Sequence, residues 1–319
     1  MSFSSELKED LSKIQNLKNK DLVKYELIGY LISNNTTCDN KNIYYSTVNE
    51  YNINRFNKLI SNMEILNFKI DIKGKNYIIT LPKIEDIQEI EYVENKVEVS
   101  MAFENEIKEK MDKSGGIESK DEARIKALAR GAFLGSGSVN NPENKYHLEV
   151  VLSNNKNASS IKKMLEKMQI DFKALERKNG YSLYMKDGEE ISKFLAFIGA
   201  NNSVLKFEEI RVLREMKNNV NRKVNCETAN LNKTINAAVK QIEAIKKLKE
   251  SGKLESLNSN LKEIASLRVE NPDATLTELG QMLQNPIGKS GVNHRLNQLI
   301  ELSKNWKCGN RASQLYLKD

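Results

Sequence analysis

Hydrophobic positions along the chain fall into two recurring series, each built from the same elements in the same order. The run D-L-V-K-Y-E-L-I-G-Y-L-I, from Asp21 to Ile32, has helical period and stops at the polar cluster S-N-N-T-T. Period-two alternation follows at Asn42–Val48, with Ile43, Tyr45 and Thr47 on one side, as a half-buried strand requires. A helix is predicted over Ile53–Leu66. The segments Phe68–Ile72 and Tyr77–Leu81 then flank K-G-K-N as the arms of a hairpin. About a hundred residues later the order returns. It comprises a helix over Glu122–Leu134, a strand over His147–Leu152 and a helix over Ser159–Met168. The hairpin Phe172–Glu176 and Tyr181–Met185 turns through R-K-N-G-Y, and a helix over Glu189–Ile198 closes the series.

The remainder is patterned differently. Glu208–Met216 has helical spacing and leads into Lys217–Thr234, eighteen residues with six asparagines. Asparagine is usually found in caps and turns, yet Asn and Arg also reach phosphates and base edges. From Leu231, the spacing of Ile235, Ala238, Val239, Ile242 and Ile245 predicts a basic amphipathic helix toward Lys249, which S-G-K-L-E-S ends. Three short helices are predicted next. Leu261–Val269 stops at N-P-D. The second helix is capped by Thr275 with Glu278 as box partner and has Leu276, Leu279 and Met282 as its apolar face. The third starts at Ser290 after Q-N-P-I-G-K and turns Val292, Leu296, Leu299 and Leu302 inward. Helix, tight turn and longer helix form a helix-turn-helix pattern, whose last helix places its first residues in the major groove. Here those are Ser290, Asn293, His294, Arg295 and Asn297, with Lys289 just before them. A three-helix bundle with a solvated polar face has the same pattern, although Lys289–Asn297 holds two basic residues and no acidic one.

Composition narrows the class. The 319 residues are 39% hydrophobic and 29% charged, enough for two or three folded domains. Cys38, Cys226 and Cys308 are isolated, and with only two histidines no metal site is expected. The polar start M-S-F-S-S-E-L-K-E-D-L has no signal-peptide pattern, and no run is long enough for a membrane span, so a cytoplasmic protein is expected, nucleoid-associated where its partner is DNA. The net charge of +7 is unevenly placed: Lys83–Glu122 holds 6 basic and 13 acidic residues, Arg211–Lys253 holds 11 basic and 4 acidic. The second stretch is suited to a polyanion, and the first is expected to be a linker lying away from DNA.

The segment Ala129–Ser138, A-R-G-A-F-L-G-S-G-S, resembles the LAGLIDADG motif of homing endonucleases, with Gly131 and Gly137 at its glycines and Leu134 and Ser136 at its two acids. Setting Gly29 against Gly131 places Ile32 and Asn34 at the acid positions of the first copy. Divalent cations of the magnesium class need carboxylate oxygens, so the resemblance implies a nuclease scaffold without metal, cofactor or cleavage. Gly29 and Gly131 are expected to let the two motif helices approach closely. The stretches Met1–Leu11, Arg130–Val139, M-K-D-G-E-E-I-S at Met185–Ser192, N-V-N-R-K-V-N-C-E-T-A-N-L-N-K-T-I-N-A-A at Asn219–Ala238 and K-S-G-V-N-H-R-L at Lys289–Leu296 together resemble the WhiA family. That resemblance implies an α+β fold, a duplicated LAGLIDADG-like domain followed by an all-α helix-turn-helix domain. It also implies a sequence-specific, non-catalytic transcription regulator tied to cell division, chromosome segregation and, in some relatives, sporulation.

The expected organisation is a first repeat at 1–82, an acidic linker at 83–120 and a second repeat at 121–205. A basic linker helix at 206–255, the helix-turn-helix at 256–308 and a tail at 309–319 complete it. Double-stranded DNA is the expected partner, through Thr275, the residues from Lys289 to Asn297 named above, and Asn221, Arg222, Lys223 and Asn225. An alternative is a division or segregation factor that binds a protein partner, such as a sigma factor, and uses DNA as an anchor. The internal two-fold repeat allows a monomer. Lys69, Lys73, Lys75, Lys173, Arg177, Lys178 and Lys186 on the repeat strands would add salt-sensitive affinity, tempered by Asp71, Glu176 and Asp187.

Overall fold

The computed structural model describes residues 2–113 and 119–304. Cys308, the tail 309–319 and residues 114–118 of the expected linker lie outside the described residues. The chain divides into two compact units, Met1–Glu215 and Met216–Asp319.

The first unit begins with α1 (Phe3–Ser12) and α2 (Lys20–Leu31), the latter capped by the Asn19 side chain. Strands β1 (Thr36–Cys38) and β2 (Asn42–Thr47), helix α3 (Glu50–Asn62) and the hairpin β3 (Lys69–Lys73) and β4 (Asn76–Pro82) complete the first copy. An extra hairpin, β5 (Ile90–Val93) and β6 (Lys96–Val99), and α4 (Met101–Lys113) follow. The second copy comprises α5 (Ser119–Ser136), β7 (Gly137–Val139), β8 (Leu148–Leu152), α6 (Asn155–Lys167), β9 (Lys173–Arg177) and β10 (Gly180–Met185). Helix α7 (Gly188–Ile198) closes it, capped by Asp187 and ended by Gly199 at φ 93°. The two antiparallel sheets have matching strand orders, β1-β2-β4-β3 and β7-β8-β10-β9. This is the duplication that the hydrophobic pattern predicts.

The two motif helices, α2 and α5, pack against each other through their glycines. A Cβ on Gly29 would collide with the Leu128 carbonyl, and one on Gly131 with the Glu26 carbonyl. Each glycine thus faces the residue three before the other, so the contact is reciprocal, as a two-fold arrangement requires. Beside this crossing lies a buried charge cluster. Glu26 accepts from Arg55 Nε at 2.7 Å, from Arg130 Nε at 3.0 Å and from Asn16 Nδ2 at 3.0 Å. Burial on its own would raise the Glu26 carboxyl, but Arg130 and Arg55 outweigh it and hold it below the usual carboxylate range.

The acidic stretch expected as a linker carries the β5–β6 hairpin and is anchored in the core through Ile84, Ile87, Ile90, Val97, Val99 and Phe103. Asn157 of α6, fully buried, ties it down. Its Oδ1 accepts from the Val99 backbone N–H at 2.9 Å and its Nδ2 donates to the Val97 carbonyl at 2.9 Å. Three carboxylates at this hairpin are paired rather than repelled: Glu89 with Lys24, Glu91 with Lys156, and Glu98 with Lys156 and Asn154. A local excess of acid therefore marks a clamp between copies, because the neutralising lysines come from distant parts of the chain.

Helix α8 (Asn201–Glu250) runs unbroken for 50 residues. The asparagine-rich stretch, which allowed turns and caps, is helical throughout. In the second unit, a 3₁₀ turn at Lys253–Ser256 leads to α9 (Ser259–Glu270), α10 (Leu276–Met282) and α11 (Lys289–Lys304). Their core joins Ile245 and Leu248 of α8 to Leu261, Ile264, Leu279, Leu283, Val292, Leu296 and Leu299. Met282 and Leu302, expected inside, are exposed, and Leu283 takes the inward place after α10 ends. No described helix is long and apolar enough to cross a membrane.

Candidate nucleic-acid interface

The turn between α10 and α11 is held by close backbone packing. The Ile287 N–H donates to the Gly280 carbonyl at 3.1 Å, and a Cβ on Gly280 would strike the Ile287 carbonyl. Gly291 lies against the Ile287 side chain, with 3.0 Å left for a Cβ, so the glycine at the start of α11 serves packing in the turn. On the other side, Arg268 of α9 is 2% exposed and donates to the Ala274 carbonyl at 2.8 Å and the Pro272 carbonyl at 3.2 Å. It fixes the loop that presents Thr275. Thr275 closes the capping box: its hydroxyl accepts from the Glu278 N–H at 3.3 Å and its own N–H donates to Glu278 at 2.7 Å.

Val292, Leu296 and Leu299 turn α11 inward, which sets the opposite face. Lys289, Ser290, Asn293, His294 and Asn297 are exposed. At 100° per residue His294 stands near the centre of that face, with Ser290, Asn293 and Asn297 on one flank. Arg295, expected to point outward with them, is half-buried and lies about 160° around the helix from Asn293. It borders the face instead of crowning it. The first turn of α11 holds no acidic residue, and its free N–H groups add a partial positive charge there.

On α8, Asn221, Arg222, Lys223 and Asn225 are exposed, as is every residue from Glu215 to Ala237. They belong to the same unit as α11.

In the first unit, the ends of the two LAGLIDADG-like helices meet at one carbonyl. The Asn34 N–H donates to the Val151 oxygen at 3.0 Å, and the Ser136 hydroxyl, at the last residue of α5, donates to the same oxygen. Asn35 Nδ2 donates to the Gly135 carbonyl at 2.7 Å. Gly137 is packed against Phe133. Asn34 and Asn35 line an open groove with Tyr44, Ser46, Asp71 and Lys73 on the first sheet. A magnesium-class ion requires several oxygen donors, mostly carboxylates. Asn34 and Ser136 are neutral, and the Ser136 proton is committed to a backbone oxygen. Among the described residues, no three of His, Cys, Asp or Glu are grouped to hold a metal.

The sheet faces around this groove carry mixed charge. Lys69, Asp71 and Lys73 alternate along β3, all exposed. On the second sheet Arg177 pairs with Glu149 at 2.5 Å, and Ser182 donates to the same carboxylate at 3.1 Å. The pairing removes the arginine from the free cations of that face. Neither Glu149 nor its partnership is evident from sequence periodicity, since the pair joins β8 to β9 across β10.

Residues 125–217 match the model of the WhiA LAGLIDADG-like domain. Residues 220–303 match that of the WhiA C-terminal HTH domain. A curated protein named "Probable cell division protein WhiA", from Desulfitobacterium hafniense, is 38% identical over 95% of this chain and 96% of its own length. The protein of that name from Clostridium acetobutylicum is 49% identical over 58% of each chain. Among solved structures, full-length DUF199/WhiA from Thermatoga maritima covers 96% of this chain and 99% of its own at 27% identity and a TM-score of 0.55.

Proposed function

The chain belongs to the WhiA family, and from that membership we propose that it is a sequence-specific, non-catalytic regulator that binds double-stranded DNA. Its work in the cell is assigned to division and chromosome segregation, in the cytoplasm and on the nucleoid; the names of the curated relatives support the division role. The observation that carries the DNA reading is the α10–α11 turn. A rigid, glycine-dependent corner presents the acid-free start of α11, with Ser290, Asn293, His294 and Asn297 exposed. Asn pairs bidentately with adenine, Arg with guanine, and Ser and Lys reach phosphate. In this reading Asn293, His294 and Asn297 meet base edges, and Lys289, Ser290 and Thr275 position the helix on the backbone. Arg295, at the border of the face, reads a flanking base. Asn221, Arg222, Lys223 and Asn225 add contacts from α8. The neutral Asn34 and Ser136, neither of which can serve as a carboxylate ligand, support the non-catalytic reading.

The Arg177–Glu149 pair favours a second use for the first unit. A face whose arginine is already neutralised suits a protein partner better than phosphates, so a division factor or sigma factor on this face, with DNA held by α11, is the second reading. Fluorescence anisotropy of the full chain on promoter fragments and on scrambled duplexes tests the first. Replacing Asn293 by Ala should weaken cognate binding by roughly 1–3 kcal/mol and leave scrambled DNA nearly unaffected. Equal loss on both would remove Asn293 from base readout.

A further inference from the structure

Helix α8 is exposed on every side from Glu215 to Ala237. Successive residues of an α-helix are 100° apart. On that wheel Asn218, Asn221, Asn225, Asn232 and Asn236 fall within an arc of about 60°, at spacings of three, four, seven and four residues. The two other asparagines of this stretch, Asn219 and Asn230, lie off the arc, and Asn230 is turned toward Cys226 within the helix. Val220, Val224, Leu231 and Ile235 occupy a separate side, in line with the buried Ala238 and with Ile245, which joins the core of the second unit. The asparagines are therefore sorted onto one side, not scattered as a composition bias would leave them.

Elsewhere this chain uses asparagine at helix ends: Asn19, Asn154 and Asn258 each cap a helix with a side-chain oxygen. The five on α8 sit in mid-helix, where asparagine is a poor helix former and no cap is needed. Their amides face solvent with both donor and acceptor free to pair outward. Arg222 borders the arc, so cationic anchoring is available beside it. Adenine presents N7 and N6–H in the major groove, the acceptor–donor pair that a side-chain amide matches bidentately. Continuous, exposed helices of this length serve as major-groove readers in other architectures. The groove admits one helix, and it curves away from a straight helix, so a helix laid in it would bring its central residues to bases and its outer ones to phosphates.

We propose that the asparagine side of α8 is a second base-reading element, selective for adenines in the major groove and separate from α11. This rests on the reading of the chain as a DNA-binding protein. The test is selection from a random double-stranded DNA library on the full chain, on the triple variant Asn221→Ala/Asn225→Ala/Asn232→Ala, and on Asn293→Ala. Alanine is the stronger helix former, and circular dichroism confirms that the variants are folded. The expected result is a motif with an adenine-containing block that the triple variant loses and the Asn293 variant keeps. Replacing asparagine by glutamine at the same three positions should restore part of it. Placing 7-deazaadenine in that block removes the N7 acceptor without disturbing base pairing. It should weaken the wild-type chain at least about fivefold and the triple variant not at all.

A motif unchanged in the triple variant but altered by Asn293→Ala overturns this proposal and leaves α11 as the reader. A wild-type chain that enriches no motif overturns both readings. If the triple variant changes only the sedimentation behaviour of the protein, the asparagine side belongs to a second copy of the chain, and the proposal fails.

Discussion

Glu26 has no exposed surface and two guanidinium partners, which makes it a point where acid acts on the fold. Its folded pKa is depressed, so its contribution is fully present above the ordinary glutamate value. That contribution is lost as pH falls through the lower folded value. Removing the charge by Glu26→Gln leaves Arg55 and Arg130 buried without a counter-ion. The expected cost is about 3–5 kcal/mol at pH 7, read from urea unfolding, with a shallower loss below pH 5 than the wild type. At Lys8 the charged form is the disfavoured one, although stability again rises with pH. Burial pulls its ammonium down to about 8, and it lies 5.8 Å from the centroid of the Phe133 ring. Because the folded value is below the ordinary one, stability should rise as pH increases from about 8 toward 10. Lys8→Met should be neutral or stabilising at pH 7, by up to a few kcal/mol; a clear loss in the urea midpoint would show that the ammonium has a supporting role.

At the scale of elements, the crossing of α2 and α5 depends on two missing side chains. Gly131→Ala gains helix propensity of about 1 kcal/mol but drives a methyl into the Glu26 carbonyl. Overpacking of this kind costs roughly 1–3 kcal/mol or more, so the melting temperature should fall. Gly74→Ala, at φ 63° in an open hairpin turn with nothing near its Cβ, should cost only the backbone strain. The repeats, the paired hairpins and the helix-turn-helix were legible because each is specified by local periodicity or a local cap such as Thr275–Glu278. Strands β1 and β7, at three residues each, are too short for periodicity to register. The β5–β6 hairpin was hidden because its glutamates are satisfied by Lys24 and Lys156, which sequence cannot place beside them. The continuity of α8 was hidden by asparagine, whose local preference opposes the helix. On α11 the exposure of Ser290, Asn293, His294 and Asn297 was legible, but the position of Arg295 required knowing which side Val292 and Leu296 bury.

For the whole molecule, the net charge of +7 matters through its distribution. Glu91 and Glu98 of the β5–β6 hairpin are drawn into pairs with Lys156, while Arg222 and Lys223 are left in water on α8. Binding to DNA should therefore weaken steeply with salt. In the double variant Arg222→Ala/Lys223→Ala the slope of log K against log salt should shrink by about 2, while base preference stays intact; an unchanged slope would place DNA elsewhere.

Two matching sheets on one continuous chain also carry an evolutionary consequence. In a homodimer every mutation appears twice, so a change good for one side is forced on the other. Here each half is encoded separately, and a single codon change alters one side alone. The Glu149–Arg177 pair illustrates the result: at the corresponding places the first sheet has Tyr44 and Lys73. A scaffold with paired ancestry is thereby free to become two unlike surfaces, one mutation at a time, around an interior that both halves still share.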